Sequence, residues 1–285
     1  MTDGSSLAKA IQGGQFVLTG ECYPPRGADP ASLRECASRL KDLVQAINVP
    51  ESEDGPRMNS LAACKHVLDS GVEPILHLLT RDLNRIALQS TILGAASLGV
   101  KNILCLAGWH QTLTSTGDAK GVFDIDPIQL LQIADSIRKG GKLSDGEPID
   151  APIDLLLGAL TNPFSDPMEL QVIALDRAVA SGADFVITQP VFNTARFEEW
   201  MALVRDRGIH ERTCIIATIM PLRSADEAKS LADKFRSLDI PDASAVGAES
   251  AAKTAAFVKG VEGVRGIHVM CEDVALAVEV LKGLK

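Results

Sequence analysis

Glu21 is a single carboxylate set between an apolar run, Phe16-Val17-Leu18-Thr19-Gly20, and a stiff turn, Cys22-Tyr23-Pro24-Pro25-Arg26-Gly27. Gly20 lets the backbone bend or approach another group closely. Pro24 and Pro25 fix their own backbone angles and push the residue before each towards an extended conformation. A carboxyl held at a strand exit is placed where a barrel enzyme keeps a general acid. A strand end with a solvated glutamate and a proline turn is the plainer reading of the same residues. Gln189, in Thr188-Gln189-Pro190, offers both a donor and an acceptor at another strand exit. That pair suits the edge of a heteroaromatic ring, or it closes a loop. His77 lies inside Ile75-Leu76-His77-Leu78-Leu79, where a core histidine with one hydrogen bond is the commoner outcome.

Other chemistries find less support. There is no paired-carboxylate motif, no ordered Ser/His/Asp set and no metal-binding cluster. A barrel aldolase or decarboxylase would want a strand-end lysine or such a cluster. The six cysteines form no CxxC or CxxH pair and several lie in apolar segments, so free buried thiols in a cytoplasmic protein are expected. A formal net charge of -9 argues against nucleic acid and anionic membrane surfaces as partners. No apolar run has the length of a membrane span, and Met1 to Gly14 lacks the pattern of a signal peptide.

These groups need a frame, and the hydropathy pattern supplies one. Short strand-like runs alternate with longer helical stretches. Strands are expected at Gln15–Thr19, Leu43–Val49, Pro74–Leu79, Asn102–Leu106, Ile153–Ala159, Asp184–Thr188, Thr213–Ile219 and Gly266–Met270. A helix follows each, with an extra one over Ser244–Lys259 and Ser224 capping the helix Ala225–Phe235. A long polar loop, Ala107–Gly121, has the length of a functional loop. Eight strand-helix units predict one (β/α)8 TIM-type barrel over residues 1–285, with a short flexible start over 1–14. An open dinucleotide-binding sheet would want a GxGxxG first turn, which is absent. The barrel reading puts Glu21, His77, Gly108 to Gln111, Asn162, Gln189, Arg223 and Cys271 at the C-terminal ends of the strands.

Three blocks carry a family resemblance: Gly20-Glu21-Cys22-Tyr23-Pro24-Pro25-Arg26, Leu106-Ala107-Gly108, and Ile187-Thr188-Gln189-Pro190-Val191-Phe192-Asn193. In this order, over nearly the whole chain, they resemble the catalytic barrel of methylenetetrahydrofolate reductases. The resemblance implies an FAD enzyme of one-carbon metabolism and methionine biosynthesis. It would interconvert 5,10-methylenetetrahydrofolate and 5-methyltetrahydrofolate. Glu21 matches the family's general acid, its neutral form expected to be favoured by enclosure. Gln189 matches the residue that contacts the pterin, and Trp109 and Glu227 stand at substrate positions. His77, Leu106, Ala107 and Gly108 match positions around the flavin ring, Phe123, Asp124 and Asp126 a segment that touches FAD, and Asn162 and Arg177 positions near its adenosine diphosphate part. Self-association is a further family expectation.

The sequence also departs from the family pattern. Trp109 stands where an aspartate is usual, Ala178 where a basic residue meets the flavin phosphates, Glu227 where a glutamine is usual and Leu231 where an aromatic packs on NADH. No arginine follows strand 8 to bind the folate tail. These departures leave the electron donor open between NAD(P)H and a partner electron-transfer protein. They also motivate an alternative: a folate- or flavin-binding subunit of a methyl- or electron-transfer complex, without catalysis of its own.

Overall fold

The structure, a computed structural model, describes residues 4–51, 55–234, 238–242 and 244–285. It opens with α1 (Ser6–Gln12), β1 (Val17–Glu21), α2 (Ala31–Leu40), β2 (Ala46–Val49), α3 (Ser60–Asp69), β3 (Pro74–Leu79), α4 (Arg85–Ser97) and β4 (Asn102–Leu106). There follow α5 (Pro127–Gly140), β5 (Leu156–Thr161), α6 (Met168–Ala180), β6 (Phe185–Pro190), α7 (Thr194–Asp206), α8 (Ile209–Arg212) and β7 (Cys214–Ile219). The chain ends with α9 (Ala225–Lys234), α10 (Gly247–Gly260), β8 (Val264–Val269) and α11 (Val274–Leu284). The strands form a closed parallel barrel in chain order. Closure comes from β1 beside β8, with Val17 opposite Gly266 and Thr19 opposite His268. The expected single-domain (β/α)8 barrel is therefore what the chain adopts.

Side chains alternate across each strand, so alternate residues enter the barrel. Val17, Ala46, Ile75, Leu104, Phe185, Cys214 and Ile216 belong to the interior cluster. Their neighbours Leu18, Ile47, Leu76, Ile103, Val186 and Ile215 pack outward in the larger cluster shared with the helices. Above the apolar floor, the same inward positions carry polar groups. Thr19, Glu21, Asn48, His77 and His268 are all buried. Phe185 fills the floor opposite Gly158, where an added Cβ would lie 2.3 Å from the ring.

Several boundaries differ from the sequence reading. β1 starts and ends later than the expected Gln15–Thr19, so Glu21 is its last residue rather than a residue beyond its end. β5 begins at Leu156 instead of Ile153, because its register is set by pairing with Asn102 on β4. α8 is an addition, and so is α1 within the start read as irregular. α1 is too short to be stable by itself, so its stability must come from docking. Leu7, Ala8 and Ile11 join the interior cluster at the N-terminal end of the barrel. Its first turn is tied to Glu73 through the Ser6 amide and hydroxyl, 2.7 and 2.9 Å away. Of the helix expected over Ala225–Phe235, Phe235 lies outside the described residues.

Candidate functional site

Four strands in a row, β8, β1, β2 and β3, build a polar quadrant at the C-terminal mouth. The Glu21 carboxyl is 4% exposed, and its Oε2 lies 3.1 Å from His268 Nε2. His268 Nδ1 faces Thr19 Oγ1 at 3.1 Å and Asn48 Nδ2 at 3.2 Å. The other end of the Asn48 amide, Oδ1, lies 3.0 Å from His77 Nε2. Two buried atoms in this group have no hydrogen-bond partner: Glu21 Oε1 and His77 Nδ1. Both residues line a cavity of about 270 Å³ at the mouth. Its opposite wall is mostly apolar, with Leu104, Leu106, Ala107, Leu160 and Ile187, and Gln189 at the edge.

Electrostatics in the quadrant run against one expectation. Burial does push the Glu21 carboxyl up, as enclosure should. The hydrogen bond from His268, attraction to His268 and His77, and a hydrogen bond from the Tyr23 side chain together outweigh it, and the net shift is downward. The resting side chain is thus a carboxylate, not the neutral acid expected from enclosure alone. Burial drives His77 the other way from a charged state, down to about 4 despite the attraction of Glu21. His77 is therefore a neutral ring at ordinary pH.

Trp109 forms the edge of this cavity and of a second hollow of about 480 Å³. Pro50 and Met270 are shared in the same way. The Lys234 ammonium lies 5.6 Å from the centre of the Trp109 ring. The Trp109 carbonyl accepts from Arg81 Nη1 at 3.2 Å, and the Val122 amide donates to the Arg81 carbonyl at 2.6 Å. Arg81, itself buried, thereby fastens both ends of the long loop after β4. Gly108 precedes Trp109 with φ +79, a conformation that favours glycine, and a Cβ there would lie 2.7 Å from Leu79.

The structure gathers seven of the candidate residues around one cavity: Glu21, His77, Leu106, Ala107, Gly108, Trp109 and Gln189. Glu227 lines the second hollow instead and pairs with Arg223 at 2.6 Å. The remaining candidates lie elsewhere. Phe123 is 46% exposed, and Asp124 pairs with Arg85 at 2.8 Å. Asp126 caps α5 in a reciprocal box with Gln129. Asn162 closes its own loop onto Ser165 and the Phe164 amide. Arg177 is in the last turn of α6, which in this architecture returns to the barrel end opposite the mouth. Sequence reasoning missed Asn48 and His268. Each is a polar residue at an inward position of its strand, and that parity was the available signal.

The expectation of six free thiols is also corrected. Cys22 and Cys36 form a disulfide across a sequence separation of 14, with Cα atoms 6.1 Å apart. Packing of α2 on the end of β1 brings them together, which no local spacing motif announces. Cys64, Cys105, Cys214 and Cys271 are free and buried. Among the described residues, no group of three or more metal-ligating side chains converges, and no helix is long and apolar enough to cross a membrane.

A profile of the methylenetetrahydrofolate reductase family matches residues 6–282. The chain belongs to the methylenetetrahydrofolate reductase family. A protein from Caenorhabditis elegans named as a probable methylenetetrahydrofolate reductase (NADPH) is 24% identical over 245 residues. That match covers 82% of the chain but only 34% of the relative, so the chain spans about a third of its length. Among solved structures, the fold is similar to an uncharacterized protein from Clostridium thermocellum described as binding two copies of 5-methyl-5,6,7,8-tetrahydrofolic acid. The TM-score is 0.65, at 12% identity, covering 98% of this chain and 99% of that one. It is also similar to oxaloacetate acetylhydrolase solved with 3,3-difluorooxalacetate, with a TM-score of 0.54 at 12% identity over 95% of this chain and 80% of that one.

Reductases of this family generally use FAD, and the cavity fits the ring half of that cofactor. A flat ring finds an apolar wall at Leu104, Leu106 and Ala107, and the bare His77 Nδ1 would accept from a ring N–H. The rim is less suited to the diphosphate. Arg81, Arg85 and Arg196 already face Asp82, Asp124 and Asp166 respectively.

Proposed function

We propose that this chain binds a reduced folate in the mouth cavity and interconverts 5,10-methylenetetrahydrofolate and 5-methyltetrahydrofolate, with Glu21 as the general acid. The observation that carries the reading is the unpartnered, buried Glu21 Oε1 in a cavity walled by apolar residues and edged by Gln189. Family membership supports it, and the folate-binding neighbour agrees with it.

In the reductive direction, Glu21 gives a proton to a nitrogen of the folate's five-membered ring. The C–N bond breaks with its electron pair staying on that nitrogen, leaving an exocyclic iminium carbon that accepts a hydride and becomes the methyl group. FAD, if bound, would supply that hydride, with NAD(P)H or a partner protein as the electron donor. His77, Leu106, Ala107 and Gly108 would hold the flavin ring. Gln189, with one donor and one acceptor, orients the pterin edge. Because His268, His77 and Tyr23 keep Glu21 ionised, proton uptake accompanies ligand binding. A ligand that expels water strengthens the burial effect and raises the carboxyl's proton affinity.

A second reading is a folate-binding subunit without its own turnover, favoured by Trp109 at the usual aspartate position and by the committed arginines on the rim. Two measurements separate the two. The first is the visible spectrum of the purified protein with and without FAD, followed by anaerobic titration with NADH and NADPH. The second is folate turnover. A colourless protein that ignores FAD removes the flavin. Turnover that survives Glu21→Gln removes Glu21 from its role. If the chain is a silent subunit because of Trp109, Trp109→Asp should gain reductase activity.

A further inference from the structure

The polar quadrant contains a fixed order of protons. The Asn48 amide sits with Nδ2 towards the Gly20 carbonyl, which only accepts, 3.5 Å away, and with Oδ1 towards His77. The same Nδ2 then donates to His268 Nδ1, so that nitrogen carries no proton. The His268 proton is consequently on Nε2, donated to Glu21 Oε2. At the other end, Asn48 Oδ1 only accepts, so His77 also carries its proton on Nε2 and leaves Nδ1 bare. One amide thus sets both imidazole tautomers.

We propose that His268 is a positioning residue for Glu21. Its Nε2–H, on the ring whose Nδ1 faces Asn48, engages Oε2 and leaves Oε1, at the cavity, to take up a proton and hand it to a ligand. The inference deepens the folate reading and rests on it for the ligand, but not for the tautomers. Register supports the geometry. Thr19 and Glu21 on β1 stand opposite His268 on β8 and Asn48 on β2 respectively, and β3 beside β2 brings His77, so four adjacent strands fix every member of the chain of bonds. The members are 7% exposed or less, which leaves few alternative partners in water. The titratable groups facing Glu21 are His268 from β8, His77 from β3 and Tyr23 from the turn after β1.

Ring-nitrogen NMR of the full chain labelled with 15N-histidine tests the tautomers without any assay of turnover. At neutral pH, His268 and His77 should both show a protonated Nε2 and a bare Nδ1. In Asn48→Asp the new carboxylate only accepts, so a proton should appear on His268 Nδ1. A wild-type His268 already protonated at Nδ1 overturns the proposal. The second arm compares His268→Leu with His268→Gln, whose side-chain amide can still donate to Oε2. In His268→Leu, kcat should fall about tenfold or more with KM within about threefold, and the alkaline limb of kcat should move up. His268→Gln should recover part of kcat and return the limb towards wild type. Equal losses in both variants with an unmoved limb reduce His268 to a packing residue. Should the wild type turn over no folate, the functional reading fails separately. Carboxyl 13C titration of Glu21 in wild type and His268→Leu then decides the coupling, with an unchanged Glu21 titration counting against it.

Discussion

Replacing His77 with glutamine should flatten the acid side of the stability curve. His77 is 7% exposed and held near pKa 4 because burial penalises its cation. The unfolded chain binds that proton at an ordinary histidine value of about 6.5. Between the two values the unfolded state binds more protons than the native state, so stability rises with pH there and is lost as pH falls. For one such group, the linkage relation gives a loss of about 2.5 kcal/mol between about pH 7.5 and about pH 4.5. Glutamine keeps a donor for Asn48 Oδ1 but does not titrate, so the variant should lack that increment. Urea unfolding of both proteins across this range gives the difference directly. Glu21, whose carboxyl is shifted downward, contributes in the same sense but below its own ordinary range. Most of its effect thus falls at the acid end of the window and is present in both proteins. Parallel stability curves for wild type and His77→Gln would refute the argument that burial keeps His77 neutral.

Other outcomes follow from packing and covalent structure. Gly158→Ala would place a methyl 2.3 Å from Phe185 Cζ, and overpacking of this kind should cost about 1–3 kcal/mol in urea unfolding. An unchanged midpoint means that the floor yields freely. Thiol titration of the protein denatured without reductant should count four cysteines, matching Cys64, Cys105, Cys214 and Cys271, and six after reduction. Six without reductant excludes the Cys22–Cys36 bond. Breaking that bond with Cys36→Ser should lower stability by about 3 kcal/mol, the chain-entropy value for a loop of this size. A variant as stable as the oxidised wild type contradicts it.

Much of the scaffold was legible because its signals are local. Alternation of strand and helix patterns, counted eight times, leaves few arrangements other than a closed parallel barrel. The Pro-Pro turn after Glu21 and the Gln189-Pro190 step likewise mark strand exits by backbone chemistry alone. α1 was not legible, since its seven residues are helical only because Leu7, Ala8 and Ile11 find the open end of the barrel.

For the site, the sequence by itself determined which residue types reach the mouth: one carboxylate, an amide, a histidine and a glycine-tryptophan corner. Only the tertiary structure decided their company. His268 is 247 residues from Glu21, yet strand closure sets their side chains 3.1 Å apart. That contact, with His77 and Tyr23, reverses the direction in which burial alone would shift the acid. Cys22 and Cys36 meet for the same reason, through packing of elements rather than spacing along the chain. Local pattern fixes which face a side chain takes. Charge state and partner depend on distances that exist only once the barrel has closed.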